Sequence, residues 1–155
     1  MKILVVSDSH KDTETVLKLA EMYPNMDLYL HAGDSEDCSS NLYPFQSVQG
    51  NCDFYDFDEK RYIRLENCNL LMKHYPNLRK EEAEDISIFI HGHTHIYSVK
   101  KEERIIRICP GSIAYSRDSS KGSYAIIDIE NQKINIKIYS LETKKVLLND
   151  SYNIK

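Results

Sequence analysis

The sequence predicts an α/β fold built from two stacked sheets covered by helices, and three observations carry that prediction. Ile3-Leu4-Val5-Val6 is a β-branched apolar run cut off by Ser7-Asp8, the pattern of a strand buried on both faces. Up to residue 58 such runs alternate with helical segments, the rhythm of a parallel α/β unit. Beyond residue 58 the runs are mostly strands. Gly122 to Ile129 and Ile134 to Tyr139 alternate about a Glu130-Asn131 turn, which makes a hairpin and a mostly antiparallel second half.

In order, the first strand runs from Lys2 to Val6. Asp12 or Thr13 caps a helix whose apolar positions Val16, Leu17, Leu19, Ala20 and Tyr23 lie on one face, and Pro24 follows its end. Asp27 to His31 is a second strand, Ser39 to Tyr43 a short helix, and Phe45 to Val48 a third strand. Strands are then expected over Arg61 to Leu65, Asn69 to Lys73, Ile86 to Ile90, Ile96 to Lys100 and Ile105 to Cys109, with one short helix around Arg79 to Glu84. No repeat, low-complexity tract or Gly/Ser/Pro-rich linker divides the 155 residues, so a single domain over 1–155 is expected.

Composition narrows the function. A net charge of -4 argues against a dedicated nucleic-acid surface, which needs excess Lys and Arg to displace counterions. The eleven tyrosines are scattered and form no stacking platform for a single strand. No run reaches the roughly 18 apolar residues of a membrane span, and the run at Ile3 is too short for a signal peptide. Cys38, Cys52, Cys68 and Cys109 are widely spaced without a Cys-x-x-Cys, so they read as reduced thiols and the location as cytoplasmic.

The strand ends carry the chemistry. In α/β sheets, ligands bind beyond the carboxyl ends of the strands. Here those ends read Asp8-Ser9-His10, Gly33-Asp34, Gly50-Asn51-Cys52-Asp53, His74, and His91-Gly92-His93-Thr94-His95. Singly, Asp-x-His is more often a turn or a cap, Gly-Asp a turn, and a lone His a hydrogen-bonded side chain. Gly-His-Thr-His is sharper, because residues two apart on an extended segment face one side. Five strands delivering carboxylate, amide and imidazole groups in order make one shared metal site the economical reading.

These motifs resemble the calcineurin-like metallophosphoesterase superfamily, and within it the small YfcE-type phosphodiesterases. The match covers Val5 to His10, Leu30 to Asp34, Val48 to Asp53 and His91 to His95. Cys109-Pro110-Gly111-Ser112-Ile113 with Arg117 is similar to the family's Asn-Pro-Gly-Ser turn and following arginine. The resemblance implies a four-layer α/β/β/α sandwich of two mixed sheets with two divalent ions at its rim. It implies Asp8, His10 and His95 around one ion, Asn51, His74 and His93 around the other, and Asp34 between them. Asp34, Asn51 and His74 are the positions it assigns to catalysis, and a bridging hydroxide is the nucleophile it implies. Manganese is the expected metal, with iron, zinc, nickel or magnesium as alternatives. Two ions, two carboxylates and one hydroxide would leave a single positive charge, enough to attract a phosphodiester monoanion without trapping it.

Two departures stand out. Cys52 occupies the place where the wider superfamily carries a histidine that protonates the leaving group. At His74 the family's Thr-His-Gly-His becomes Lys73-His74-Tyr75-Pro76, which keeps the first histidine and loses the second. Cys52, Lys73 and Arg117 are candidate substrate contacts, Lys73 as a phosphate partner or a solvated cation. His31 and His91 precede their motifs and are expected to be structural. The expected activity is hydrolysis of a small phosphodiester or phosphomonoester, in a protein whose family relatives imply a homodimer or larger assembly. The alternative is a catalytically weak interaction scaffold of the same fold, as in the retromer-complex subunit.

Overall fold

The computed structural model describes residues 1–154. Among the described residues, eleven strands and three helices follow in chain order. They are β1 (Lys2–Val6), α1 (Thr13–Met22), β2 (Leu28–His31), α2 (Ser39–Leu42), β3 (Gln46–Ser47), β4 (Lys60–Arg64) and β5 (Asn69–Lys73). Then come α3 (Lys80–Ala83), β6 (Ile88–Ile90), β7 (Ser98–Glu102), β8 (Ile105–Cys109), β9 (Ser123–Glu130), β10 (Lys133–Ser140) and β11 (Val146–Asn153). One sheet has the order β11-β10-β9-β1-β2-β3 and the other β4-β5-β6-β8-β7.

Side-chain alternation along the strands generates the layers. In β1, Ile3 and Val5 point into the space between the sheets, where they meet Leu70, Met72, Ile88, Ile90, Ile106 and Ile108 of the second sheet. Leu4 and Val6 point the other way, under Val16 and Leu19 of α1. On the far side of the second sheet, Leu71 and Phe89 pack with Ala83 of α3. The four-layer order is therefore helix, sheet, sheet, helix. Burying Val16 and Leu19, each essentially inaccessible, contributes roughly 1.5–3 kcal/mol apiece to docking α1. Asp12 is its N-cap, accepting from the Thr15 N–H at 3.2 Å. The outer layers are thin, since α2 and α3 are single turns of four residues.

Both sheets are mixed. The expected antiparallel character holds for β9, β10 and β11, but β5, β6 and β8 pair in parallel at the centre of the second sheet. Parallel order there directs the ends of β5 and β6 toward the same rim as β1, β2 and β3. The strand expected from Ile96 begins only at Ser98: Ile96 is exposed, the Thr94 hydroxyl contacts its backbone, and the Tyr97 N–H is taken by Asp118. No helix is long and apolar enough to cross a membrane among the described residues.

Candidate metal centre

Seven side chains converge where β1, β2, β3, β5 and β6 end, and the carboxylates show how. Asp8 is fully buried. Its Oδ2 accepts from the Ser7 hydroxyl at 2.6 Å and from the His93 N–H at 3.1 Å. Its Oδ1 has no hydrogen-bond donor, although His95 Nε2 lies 3.1 Å away. A buried carboxylate oxygen without a donor is costly unless something positive faces it. Asp34 repeats the arrangement: Oδ1 accepts from the Cys52 N–H at 2.8 Å, and Oδ2 lies 3.3 Å from His74 Nε2 and 4.0 Å from His10 Nε2. Each carboxylate is tethered through one oxygen and offers the other.

The imidazoles are oriented from behind. Nδ1 of His10, His74 and His95 faces, respectively, Glu36 Oε2 at 3.0 Å, the Ala32 carbonyl at 2.8 Å and the Tyr115 carbonyl at 2.6 Å. Each acceptor places the proton on Nδ1 and turns the Nε2 lone pair inward, the second-sphere device of metal-bound histidines. His93 is the exception, presenting Nδ1 at 3.2 Å from Asn51 Oδ1 and 3.3 Å from His74 Nε2. His74 Nε2 in turn lies 3.0 Å from Asn51 Oδ1, and His10 Nε2 lies 3.5 Å from His95 Nε2.

Those spacings are informative. Donors held at about 2.1 Å from one divalent ion stand roughly 3.0–3.4 Å apart. Asp8, His10 and His95 come close to this spacing, at 3.1, 3.5 and 3.9 Å, and Asp34 and His74 stand at 3.3 Å with Asp8 Oδ1 3.9 Å from His74 Nε2, so each triad could close on an ion. Asn51, His74 and His93 form a further group of inward-facing oxygen and nitrogen atoms. Asp34 Oδ2 stands between His10 and His74, at 4.0 and 3.3 Å. The donor set is one suited to divalent ions, and the orphaned Asp8 oxygen would be satisfied by one.

Backbone strain marks five of the seven. Asp8, His10, Asp34, His93 and His95 all have left-handed backbones, with φ of 53°, 41°, 59°, 68° and 59°. Such conformations are costly for side-chain-bearing residues and persist where surrounding contacts over-determine them, characteristically at functional sites. Close approach also explains two glycines: a Cβ at Gly50 would lie 2.1 Å from Asp34 Oδ1, and one at Gly92 would lie 2.0 Å from Ser7 Oγ.

Electrostatics keep the carboxylates ionised. Burial works to raise the Asp34 pKa, but the contact with His74, the Cys52 N–H and the positive partners outweigh it and hold the carboxyl at about 2. Burial is likewise the largest influence on Asp8, and His95, His74 and Ser7 together still lower its pKa. Asp8 is the main influence raising His95, whereas His74 is raised by Asp34 and Asp8 against the effect of burial. Burial and the neighbouring His74 lower His93.

The remaining candidates divide. Arg117 is exposed, with its N–H bonded to the His95 carbonyl. Cys52 faces His10 and Asp34. Lys73 differs from both roles expected of it: its side chain is buried and its ammonium lies 2.7 Å from Glu82, so its charge is already matched. That partner leaves no local mark on the chain around Lys73, because Glu82 sits in another element. His31 and His91 stand outside the cluster, His31 between the Ser9 hydroxyl and the Gly33 N–H, and burial depresses both, His31 to about 4. Asp53 and Glu36 went unassigned. Asp53 accepts from the N–H groups of Asp34, Gly50 and Glu36 and so ties two strand ends together; its place in Gly-Asn-Cys-Asp was the available signal.

Comparison with known proteins shows the family and the fold. A family model described as calcineurin-like phosphoesterase superfamily domain matches residues 1–132. The chain belongs to that superfamily. A probable metallophosphoesterase of Bacillus subtilis (strain 168), YsnB, is 32% identical over 155 residues that cover 90% of each chain. Among solved structures, a conserved uncharacterized protein and predicted phosphoesterase from Streptococcus pneumoniae TIGR4 superposes with a TM-score of 0.87 at 27% identity, covering 98% of this chain and 97% of that one. The phosphoesterase YfcE from E. coli, at 20% identity and a TM-score of 0.77, covers 98% of its own length and 97% of this chain and shows the same fold. Membership supports a hydrolase of the phosphoester type that uses divalent metal.

Proposed function

We propose that the protein hydrolyses phosphodiester bonds of small substrates at a two-ion centre within a single 1–155 domain. The observation that carries this is Asp34: one oxygen is tied to the Cys52 N–H, and the other stands between the His10 side and the His74 side of the cluster. In this reading Asp8, His10 and His95 hold one ion, Asn51, His74 and His93 hold the other, and Asp34 is shared. The ions would supply Lewis acidity toward the phosphate oxygens and a water acidified toward neutral pH. The chain's own part is to fix the donors before substrate arrives, through the tethered carboxylates and the imidazoles braced by Glu36, Ala32 and Tyr115. Asp8 and Asp34 bring two negative charges against four from a filled centre, so a phosphodiester monoanion is attracted. Asn51 is exposed, which leaves the centre open to bulky esters. Manganese fits the mixed oxygen and nitrogen donors. The four cysteines are free, which suits a reducing cytoplasm.

The test is a manganese-dependent assay on bis(4-nitrophenyl) phosphate with metal analysis, and Asp34→Asn as control. An active, metal-loaded wild type and an inactive variant support the enzyme. A wild type that neither binds metal nor turns over supports the interaction scaffold instead.

A further inference from the structure

Beside the centre lies a cleft of about 300 Å³ that Asn51 and His74 share with Tyr75, Arg79, Glu59 and Lys73. We propose that this cleft is a subsite for one ester arm of the substrate, and that it selects a flat aromatic arm bearing one anionic group. The inference rests on the proposed phosphoesterase activity and specifies its substrate class.

Tyr75 supplies the platform. Its ring centroid lies 4.7 Å from that of His93 and 5.4 Å from that of His74, so the ring is braced against two inward-facing imidazoles. It nevertheless keeps 44% of its surface open. An aromatic ring fixed by its neighbours and exposed on the cleft side favours a flat partner over an alkyl one, and it gives up little freedom on binding. The position matters because Tyr75 directly follows His74 and sets its ring beside the inward-facing cluster.

The charges define the rest of the arm. Lys73 is paired with Glu82, which also receives Lys60 at 3.0 Å, so neither lysine is a free cation. Arg79 at the start of α3 is exposed, and among the described residues its guanidinium has no carboxylate in ion-pair contact. Glu59 is the opposing charge in the cleft. Arg79 therefore suits a single carboxylate or phosphate on the arm, whereas Glu59 disfavours a densely anionic one.

The experiment measures calorimetric binding of methylphosphonate, phenylphosphonate and 4-carboxyphenylphosphonate to the manganese-loaded protein, none of which is hydrolysed. Phenylphosphonate is expected to bind about threefold to tenfold tighter than methylphosphonate. The carboxylate is expected to add about twofold to fivefold, an increment that shrinks with added salt. Tyr75→Ala should remove the first preference and Arg79→Gln only the second; both residues are exposed, so both variants are expected to fold. Equal binding of the three compounds by the wild type, or preferences unchanged in both variants, overturns the subsite. Hydrolysis of bis(4-nitrophenyl) phosphate is followed in parallel. Turnover with flat preferences sinks the subsite alone, and failure to bind manganese sinks the subsite and the phosphoesterase together.

Discussion

Glu36 Oε2 lies 3.0 Å from His10 Nδ1, and this contact decides which nitrogen of His10 faces the cluster. The carboxylate accepts the Nδ1 proton, so the Nε2 lone pair is the one turned toward the side where Asp8 and Asp34 lie, 3.9 and 4.0 Å away. Glu36 is itself placed by its N–H bond to Asp53 at 2.8 Å, on a left-handed backbone with φ of 54°. Glu36→Ala should therefore weaken manganese binding by about 10–100-fold, and Glu36→Gln less, since an amide oxygen can still accept that proton. Metal titration by calorimetry reads both. Affinity unchanged in the alanine variant would remove Glu36 from the site.

The raised His74 and His95 pKas predict opposite pH behaviour with and without metal. In the metal-free protein a raised folded value means that protonation stabilises the fold. That contribution is complete below the ordinary value of 6.5 and is lost as the pH rises through the elevated folded values. Bound metal needs both imidazoles neutral, so its affinity falls on acidification by up to about tenfold per pH unit for each protonated ligand. The rise in Tm produced by manganese should thus be large at about pH 8 and small at about pH 5.5, with activity falling in parallel. Melts with and without manganese at both pH values check this, and an equal shift at the two would refute it.

How much of this was legible in the sequence depended on where the signal lay. β1, β5 and β8 are apolar or β-branched runs whose ends match their predicted bounds, and the seven candidate ligands follow strand ends as expected. β11 was missed because Val146–Asn153 is an edge strand that buries none of its residues fully, so it carries no apolar alternation. Gln46–Ser47 is shorter than expected at its start because the Phe45 N–H closes the turn after α2 by bonding the Leu42 carbonyl. In the site, residue types announced the ligands; the partners that aim them did not announce themselves. Glu36 and Glu82 are ordinary acidic residues until folding sets them against His10 and Lys73, and a contact between distant positions leaves no local mark on a chain.

The Lys73–Glu82 pair carries a stability prediction. Burial opposes ionisation of Glu82, yet Lys73, the Arg79 N–H and Lys60 together hold its carboxyl at about 2 against an ordinary 4.5. A depressed carboxylate contributes stability that is present above about pH 4.5 and is lost as the pH falls toward 2. The contribution is on the order of 1–3 kcal/mol, with Lys60 partly screened by solvent. Glu82→Gln should lower stability at neutral pH, because it leaves Lys73 buried without its counter-charge, and should flatten the acid limb between those values. Urea unfolding as a function of pH measures both. A variant with the wild-type acid limb would show that the pair does not govern it.

Cys52 bears on which esters the centre can cleave. Its N–H anchors Asp34 Oδ1 at 2.8 Å, and its sulfur receives the Asn51 amide at 3.4 Å, so the thiol stands beside the inward-facing groups. Burial, then the charges of Asp34 and Glu36, push its pKa up from the ordinary thiol value. It stays protonated at neutral pH but yields its proton reluctantly, which makes it a weak acid catalyst for a departing alkoxide. Aryl diesters, whose phenolate leaves unaided, should be turned over much faster than alkyl diesters. Cys52→His should accelerate the alkyl class by about 100-fold, the low end of general-acid contributions, and the aryl class far less. Cys52→Ser, which keeps the backbone contact and supplies no better acid, should leave the ratio of the two rates where it was. Steady-state rates on matched alkyl and aryl diesters decide the matter: equal rates in the wild type, or equal acceleration of both classes by the histidine, would mean that leaving-group protonation does not limit this centre.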